Sequence, residues 1–154
     1  SAELIASTKD LNAGQLVDRI GVMMGLDFPC GRELEGLALS YNFSIPKKKV
    51  SGNGMHINLS GIENYATEMY RKSNSKEMVA AFVLNHIADA LCIMCDEYIK
   101  EYGDTQFVFA GGVMSNSIIR HHLQGIYKAN FAEPALAADN AVGIALLALE
   151  KYKK

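Results

Sequence analysis

The sequence predicts an α/β domain: a mixed sheet with flanking helices around one core. Three observations predict it. In the carboxy-terminal third, short apolar runs at 106–110 and 127–131 alternate with helical spacing at 116–124 and after Asn140. The chain has 154 residues, 49% apolar and 21% charged, which suits a soluble core rather than disorder. Residues 75–102 carry a long helical pattern able to cover one face of such a sheet.

Each element has its own signal. Glu3-Leu4-Ile5-Ala6 reads as extended chain, which suggests entry in mid-domain. Residues 13–25 have helical spacing through Leu16, Val17, Ile20, Val22, Met23 and Met24, with Gly25 as the stop. Phe28-Pro29-Cys30-Gly31 is a turn, and 33–39 fits a short helix. Residues 45–53, with Pro46, Lys47, Lys48, Lys49, Ser51 and Gly52, read as an exposed loop. That lysine run is either a solvated loop or a contact for RNA or an acidic partner. Residues 55–59 alternate as a strand, and Ser60-Gly61 opens a helix to about Arg71. Ser75 caps the long amphipathic helix and Gly103 closes it. Val79, Phe82, Val83, Ile87 and Leu91 form its packing face. The 106–110 run is placed as an inner strand.

Composition narrows the function classes. A net charge of −2 argues against a domain that holds nucleic acid by charge alone, while leaving room for a basic patch. Asn85, His86, Asp89 and Asp96 interrupt the longest helical stretch, so no membrane span is expected. The first residues lack a basic-then-apolar pattern, so no signal segment is expected there. Three cysteines are an odd, sparse set and suit a reduced cytoplasm. Cys92 and Cys95 have C-x-x-C spacing inside an apolar helix, as core residues or as redox or metal groups.

Three groups could carry chemistry. Phe107-Val-Phe-Ala-Gly-Gly-Val-Met-Ser-Asn116 runs from strand through two glycines into a helix. Gly111 and Gly112 let a ligand approach the backbone, and the helix start offers free N–H groups; a tight turn without ligand reads equally well. Asp139-Asn140 precedes the last helix, where the carboxylate binds a divalent cation or caps the helix. Asp18 and Gly31 form the third group: a carboxylate for ribose hydroxyls with room for the sugar, or a plain surface aspartate.

Together these segments resemble the TsaD/Gcp glycoprotease family, the tRNA threonylcarbamoyladenosine synthase subunit long called O-sialoglycoprotein endopeptidase. The family's D-D-A-A-G-E-A-F-D-K is similar to Asp10-Leu-Asn-Ala-Gly-Gln-Leu-Val-Asp18-Arg19. Its L-L-G-L-x-Y-P-G-G-P resembles Met23-Met-Gly-Leu-Asp-Phe-Pro-Cys-Gly31-Arg32. F-S-F-S-G-L-K-T is similar to His56-Ile-Asn-Leu-Ser60-Gly61-Ile62-Glu63-Asn64. A-G-G-V-x-x-N is matched by Ala110-Gly-Gly-Val-Met-Ser-Asn116, and T-D-N-A-A-M-I-A by Ala138-Asp139-Asn140-Ala-Val-Gly-Ile-Ala145. The five segments run in order over nearly the whole chain.

The resemblance implies the second lobe of an actin-like ATPase (ribonuclease-H-like) fold, with an adenine nucleotide, ATP or threonylcarbamoyl-adenylate, in the cleft between two lobes. It implies transfer of threonylcarbamoyl from its adenylate to an adenosine N6 in tRNA. Asp18 and Gly31 would touch the ribose with Glu35 close by, Asn116 would contact the nucleotide, and Gly111 and Gly112 would lie beside the base. Asp139 would be a ligand for iron or another divalent metal. The family's H-x-x-x-H metal helix and S-G-G-H-T phosphate loop belong to a first lobe absent from this chain. His56, His86, His121 and His122 lack that spacing and read as structural or exposed. One aspartate does not hold a catalytic metal unaided, so the chain alone is expected to be inactive as a transferase. The first lobe, other subunits of a tRNA-modifying complex and, in the intact parent, tRNA are the expected partners. Self-association through the uncovered cleft wall is also expected.

Gln15, Arg19, Cys30, Arg32, Glu63 and Ala138 depart from the family pattern, and Glu63 reverses a charge. The departures point to a divergent paralogue. A non-catalytic scaffold is the second reading. The old peptidase name has no nucleophile or zinc pair to support it here.

Overall fold

The computed structural model describes residues 3–137, 149, 151 and 152. The first helix, α1 (Ala13–Met23), starts where Asn12 accepts from the Gln15 N–H at 2.8 Å. It ends at Gly25, whose φ of +80° reverses the chain. A turn with a cis Phe28–Pro29 peptide leads into α2 (Gly31–Ser40). A loop then reaches a hairpin of β1 (Ser51–Asn53) and β2 (His56–Asn58). Thr8 adds a single parallel bridge to Ile57 on the far side of β2. α3 (Ser60–Ser73) follows and stops at Asn74, which takes the left-handed conformation.

α4 (Lys76–Tyr102) runs 27 residues from a Ser75 cap to Gly103. Next comes β3 (Phe107–Phe109), then a 3-10 turn (Gly112–Ser115), then α5 (Ser117–Gln124). β4 (Ala129–Phe131) returns parallel to β3, and a short α6 (Pro134–Ala137) follows.

Helices, not a sheet, organise the core. α4 lies at the centre, with α2 as its principal neighbour and α1, α3 and α5 around it. Val79, Phe82, Val83 and Ile87 are at most 1% exposed, and each contributes about 1.5–3 kcal/mol by burial. Leu91 is only partly buried.

Four expectations need correction. The first half of α4 is buried on all sides, Ala80, Ala81, Leu84, His86 and Ala88 included, so it is not amphipathic there. α4 is also long and apolar enough by length and composition to cross a membrane, with a mean hydropathy of 1.9 over its best window. That window is 61% buried inside the fold, which makes α4 a core helix. No central mixed sheet exists among the described residues; there are two separate two-stranded pairs. Within them β3 has one partner rather than two, so it is not an inner strand. Finally, residues 51–53, read as loop, pair as β1, because Gly52 fits flat against the His56–Ile57 backbone where a Cβ would collide.

Candidate nucleotide-binding face

The first corner joins α1 to α2. Asp18 Oδ1 accepts the Cys30 N–H at 3.0 Å, and the Cys30 thiol donates to the Asp18 carbonyl at 3.5 Å. Gly21 lies directly against Cys30, so that a Cβ there would overlap the Cys30 side chain. Burial, with the carboxylates of Asp18, Glu33 and Asp27, pushes the Cys30 thiol up, so it stays a neutral donor. The corner therefore sets Asp18 beside Gly31, the first residue of α2. The position of a Gly31 Cβ is open space.

The second corner joins α2 to α5. Glu35 lies one turn beyond Gly31 and so on the same helix face. Its Oε1 accepts the Ser117 N–H at 2.7 Å and the Ser117 hydroxyl. A carboxylate at a helix start satisfies a free N–H and complements the helix dipole. Asn116, 7% exposed, caps the same helix by accepting from the Ile119 N–H at 3.2 Å. Upstream, Gly111 has φ +108°, a conformation side chains rarely adopt, and Gly112 has open space at its Cβ position. The 3-10 turn that follows rests on α1. Ser115 Oγ is buried there without a partner among the described residues.

Asp18, Gly31, Glu35 and Asn116 thus form one continuous strip, with the Gly111–Gly112 backbone leading into it. Each polar member spends one atom on the fold. Asp18 Oδ2, Glu35 Oε2 and Asn116 Nδ2 make no hydrogen bond to the described residues. Two acceptors and a donor remain for hydroxyl and amine groups of a ligand.

Asp139 lies outside the described residues. Among those described, no group of three or more His, Cys, Asp and Glu residues assembles a metal site. His86, 2% exposed, has both nitrogens engaged: Nε2 accepts the Lys48 N–H at 2.9 Å and Nδ1 donates to the Phe82 carbonyl at 2.7 Å. His56 Nδ1 takes the Ser7 N–H at 3.2 Å. The described residues therefore do not fit a metal. Burial raises both thiols of the C-x-x-C pair, Cys95 to about 12, which makes them inert core groups.

Sequence reasoning missed three participants. Asp10 accepts from the N–H groups of Leu11 (2.7 Å), Leu59 (2.9 Å) and Ser60 (3.1 Å), and so caps α3 from across the chain. Ser117 receives Glu35. Arg19 pairs with Glu63 at 3.4 Å between α1 and α3, which gives the reversed charge a partner. None carries a local signal, because the partners are 44 to 82 residues apart.

The family model described as TsaD, tRNA N6-adenosine threonylcarbamoyltransferase, matches residues 1–146. Proteins of that name in Buchnera aphidicola and Nautilia profundicola are 28% and 30% identical, over 99% and 97% of this chain and 48% of their own length. The Neorickettsia sennetsu protein of that name is 29% identical over 97% of the chain and 50% of its own length. The chain spans about half the length of these relatives. With the match covering all five motif segments, the chain belongs to the tRNA N6-adenosine threonylcarbamoyltransferase family.

Proposed function

We propose that this chain is the nucleotide-binding half of a protein that transfers a threonylcarbamoyl group to an adenosine amine in tRNA. The carrying observation is the strip from Asp18 through Gly31 and Glu35 to Asn116, each with a spare polar atom or open backbone. Asp18 takes the ribose hydroxyls, and Gly31 leaves space for the sugar. Glu35 and Asn116 present an acceptor and a donor to the nucleotide, and Gly111 and Gly112 let the base lie close to the backbone. The family's divalent metal falls to Asp139 together with ligands from elsewhere. A lone aspartate is too few ligands for a catalytic metal, so the 154-residue chain assayed alone transfers nothing.

The strip offers contacts to base and ribose and no cationic phosphate clamp. Adenosine and ATP therefore bind this chain with similar, weak affinity, and added divalent metal changes little. Ligand-observed NMR titration measures both. Asp18→Ala and Asn116→Ala each weaken adenosine about tenfold or more, the equivalent of one hydrogen bond to a charged or buried group. Thermal unfolding of both variants separates this loss from the cap each removes. Much tighter binding of ATP than of adenosine, or indifference to both substitutions, sinks the placement.

A further inference from the structure

We infer that the Lys47-Lys48-Lys49 loop, between α2 and β1 and resting on α3 and α4, is a built docking surface for the phosphate backbone of RNA. The loop is held rather than merely solvated. Its backbone is pinned where the Lys48 N–H donates to buried His86 at 2.9 Å. Its exit is pinned by Val50, 7% exposed. The Lys48 ammonium lies 5.4 Å from the Tyr65 ring centre. Tyr65 packs on Phe82 at 5.2 Å, and Phe82 on His86 at 4.0 Å, so one aromatic column holds the loop by backbone and side chain.

The charge is free to act. Lys47, Lys48 and Lys49 are exposed, and none pairs with a carboxylate among the described residues. The bland account of a lysine run is a mobile, solvated loop, and such a loop gains nothing from a buried histidine anchor. Four residues before the run in the chain, Phe43 is 76% exposed and packs on Tyr41 with ring centres 5.6 Å apart. A cavity of about 260 Å³ opens between Pro46, Tyr65, Glu68 and Lys72, where Glu68 and Lys72 pair with each other at 2.6 Å. Cations beside an exposed aromatic face suit a phosphate chain with unstacked bases, whereas an acidic peptide needs only the cations. The choice of RNA rests on the transfer reading above; the anchored cationic surface does not.

The test is fluorescence anisotropy of an unmodified tRNA transcript with the full 154-residue chain across a salt series. Replacing Lys47, Lys48 and Lys49 with alanine lowers the slope of log affinity against log salt by about 2 to 3, at 0.7–0.9 per phosphate contact. The control variant, Lys100→Ala with Lys128→Ala and Lys151→Ala, keeps nearly the full slope. Lys47→Ala alone, at an exposed and unbonded side chain, supplies a milder variant that lowers the slope by about 1. Equal losses in control and loop variants, or an unchanged slope, overturn the proposal. Equally tight binding of polyglutamate or of anionic vesicles to the same lysines overturns RNA as the partner. Adenosine titration of the loop variant separates the two readings. If wild type binds RNA through the lysines but no adenosine, the transfer reading fails and the docking surface stands.

Discussion

Asp10 shows how one carboxylate can hold two distant pieces of chain. Burial pushes its carboxyl up, and is outweighed by hydrogen bonds from the Ser60 side chain and the Leu59, Ser60 and Leu11 N–H groups, so the net shift is downward from 3.8. A folded value below the unfolded one stabilises the fold above the unfolded value, and that stability is lost as pH falls through the folded value. Asp10→Asn keeps an acceptor and removes the charge. Its denaturation curves should therefore show a smaller loss of stability between neutral pH and the acid range than wild type; identical pH profiles would refute the role. Gly21 is the opposite case, a residue important for what it lacks. Alanine is normally better than glycine in a helix by about 1 kcal/mol. Here its Cβ would meet the Cys30 side chain, and overpacking costs about 1–3 kcal/mol. Gly21→Ala should lower the melting temperature, and Cys30→Ala in the same chain should recover little of the loss, because the Cys30 Cβ nearest the added methyl remains; full recovery would refute the clash.

At the scale of elements, α4 was legible at both ends and misread in the middle. Ser75 accepts from Met78 N–H at 3.2 Å and Gly103 takes a positive φ, both as their residue types require. The burial of both faces was not legible. Asn85 and His86 look like a polar face, yet Asn85 Nδ2 donates to the Ala81 carbonyl and His86 satisfies Phe82 and Lys48. Periodicity counts polarity and cannot see where hydrogen bonds are closed internally. Phe82→Ala should cost about 3–5 kcal/mol in denaturant unfolding, and Leu91→Ala, at the half-buried end, clearly less. Equal costs would mean the core is not centred on the first half of the helix. The strand at 107–109 was legible as apolar, but pairing partners are non-local, and its inner position was not.

For the whole molecule, the site's types were in the sequence and its assembly was not. Gly111, Gly112 and Asn116 announce a strand-to-helix corner by themselves, and Asn116 does cap α5. Glu35 entered only through resemblance, since nothing within α2 points to Ser117. The surface also carries an apolar cleft of about 190 Å³ between Ile5, Met55, Met94, Cys95 and Phe109, while Val108, on the other face of β3, is 73% exposed. An apolar cleft next to a short strand favours association. Sedimentation velocity should show concentration-dependent self-association of this chain, weakened by Met94→Lys in the cleft; a single monomer species at millimolar concentration would rule it out. The bond from Glu35 to Ser117 closes a loop of 82 residues, and that distance sets an order of events. Local turns of α1, α2 and α4 form early, whereas a contact so far along the chain must wait until the entropy of loop closure has been overcome. The amide of Ser117 should then be among the last to gain protection from hydrogen exchange during refolding. The proposed strip is complete only when the chain has finished folding, so on that proposal an unfinished chain has nothing with which to capture a nucleotide.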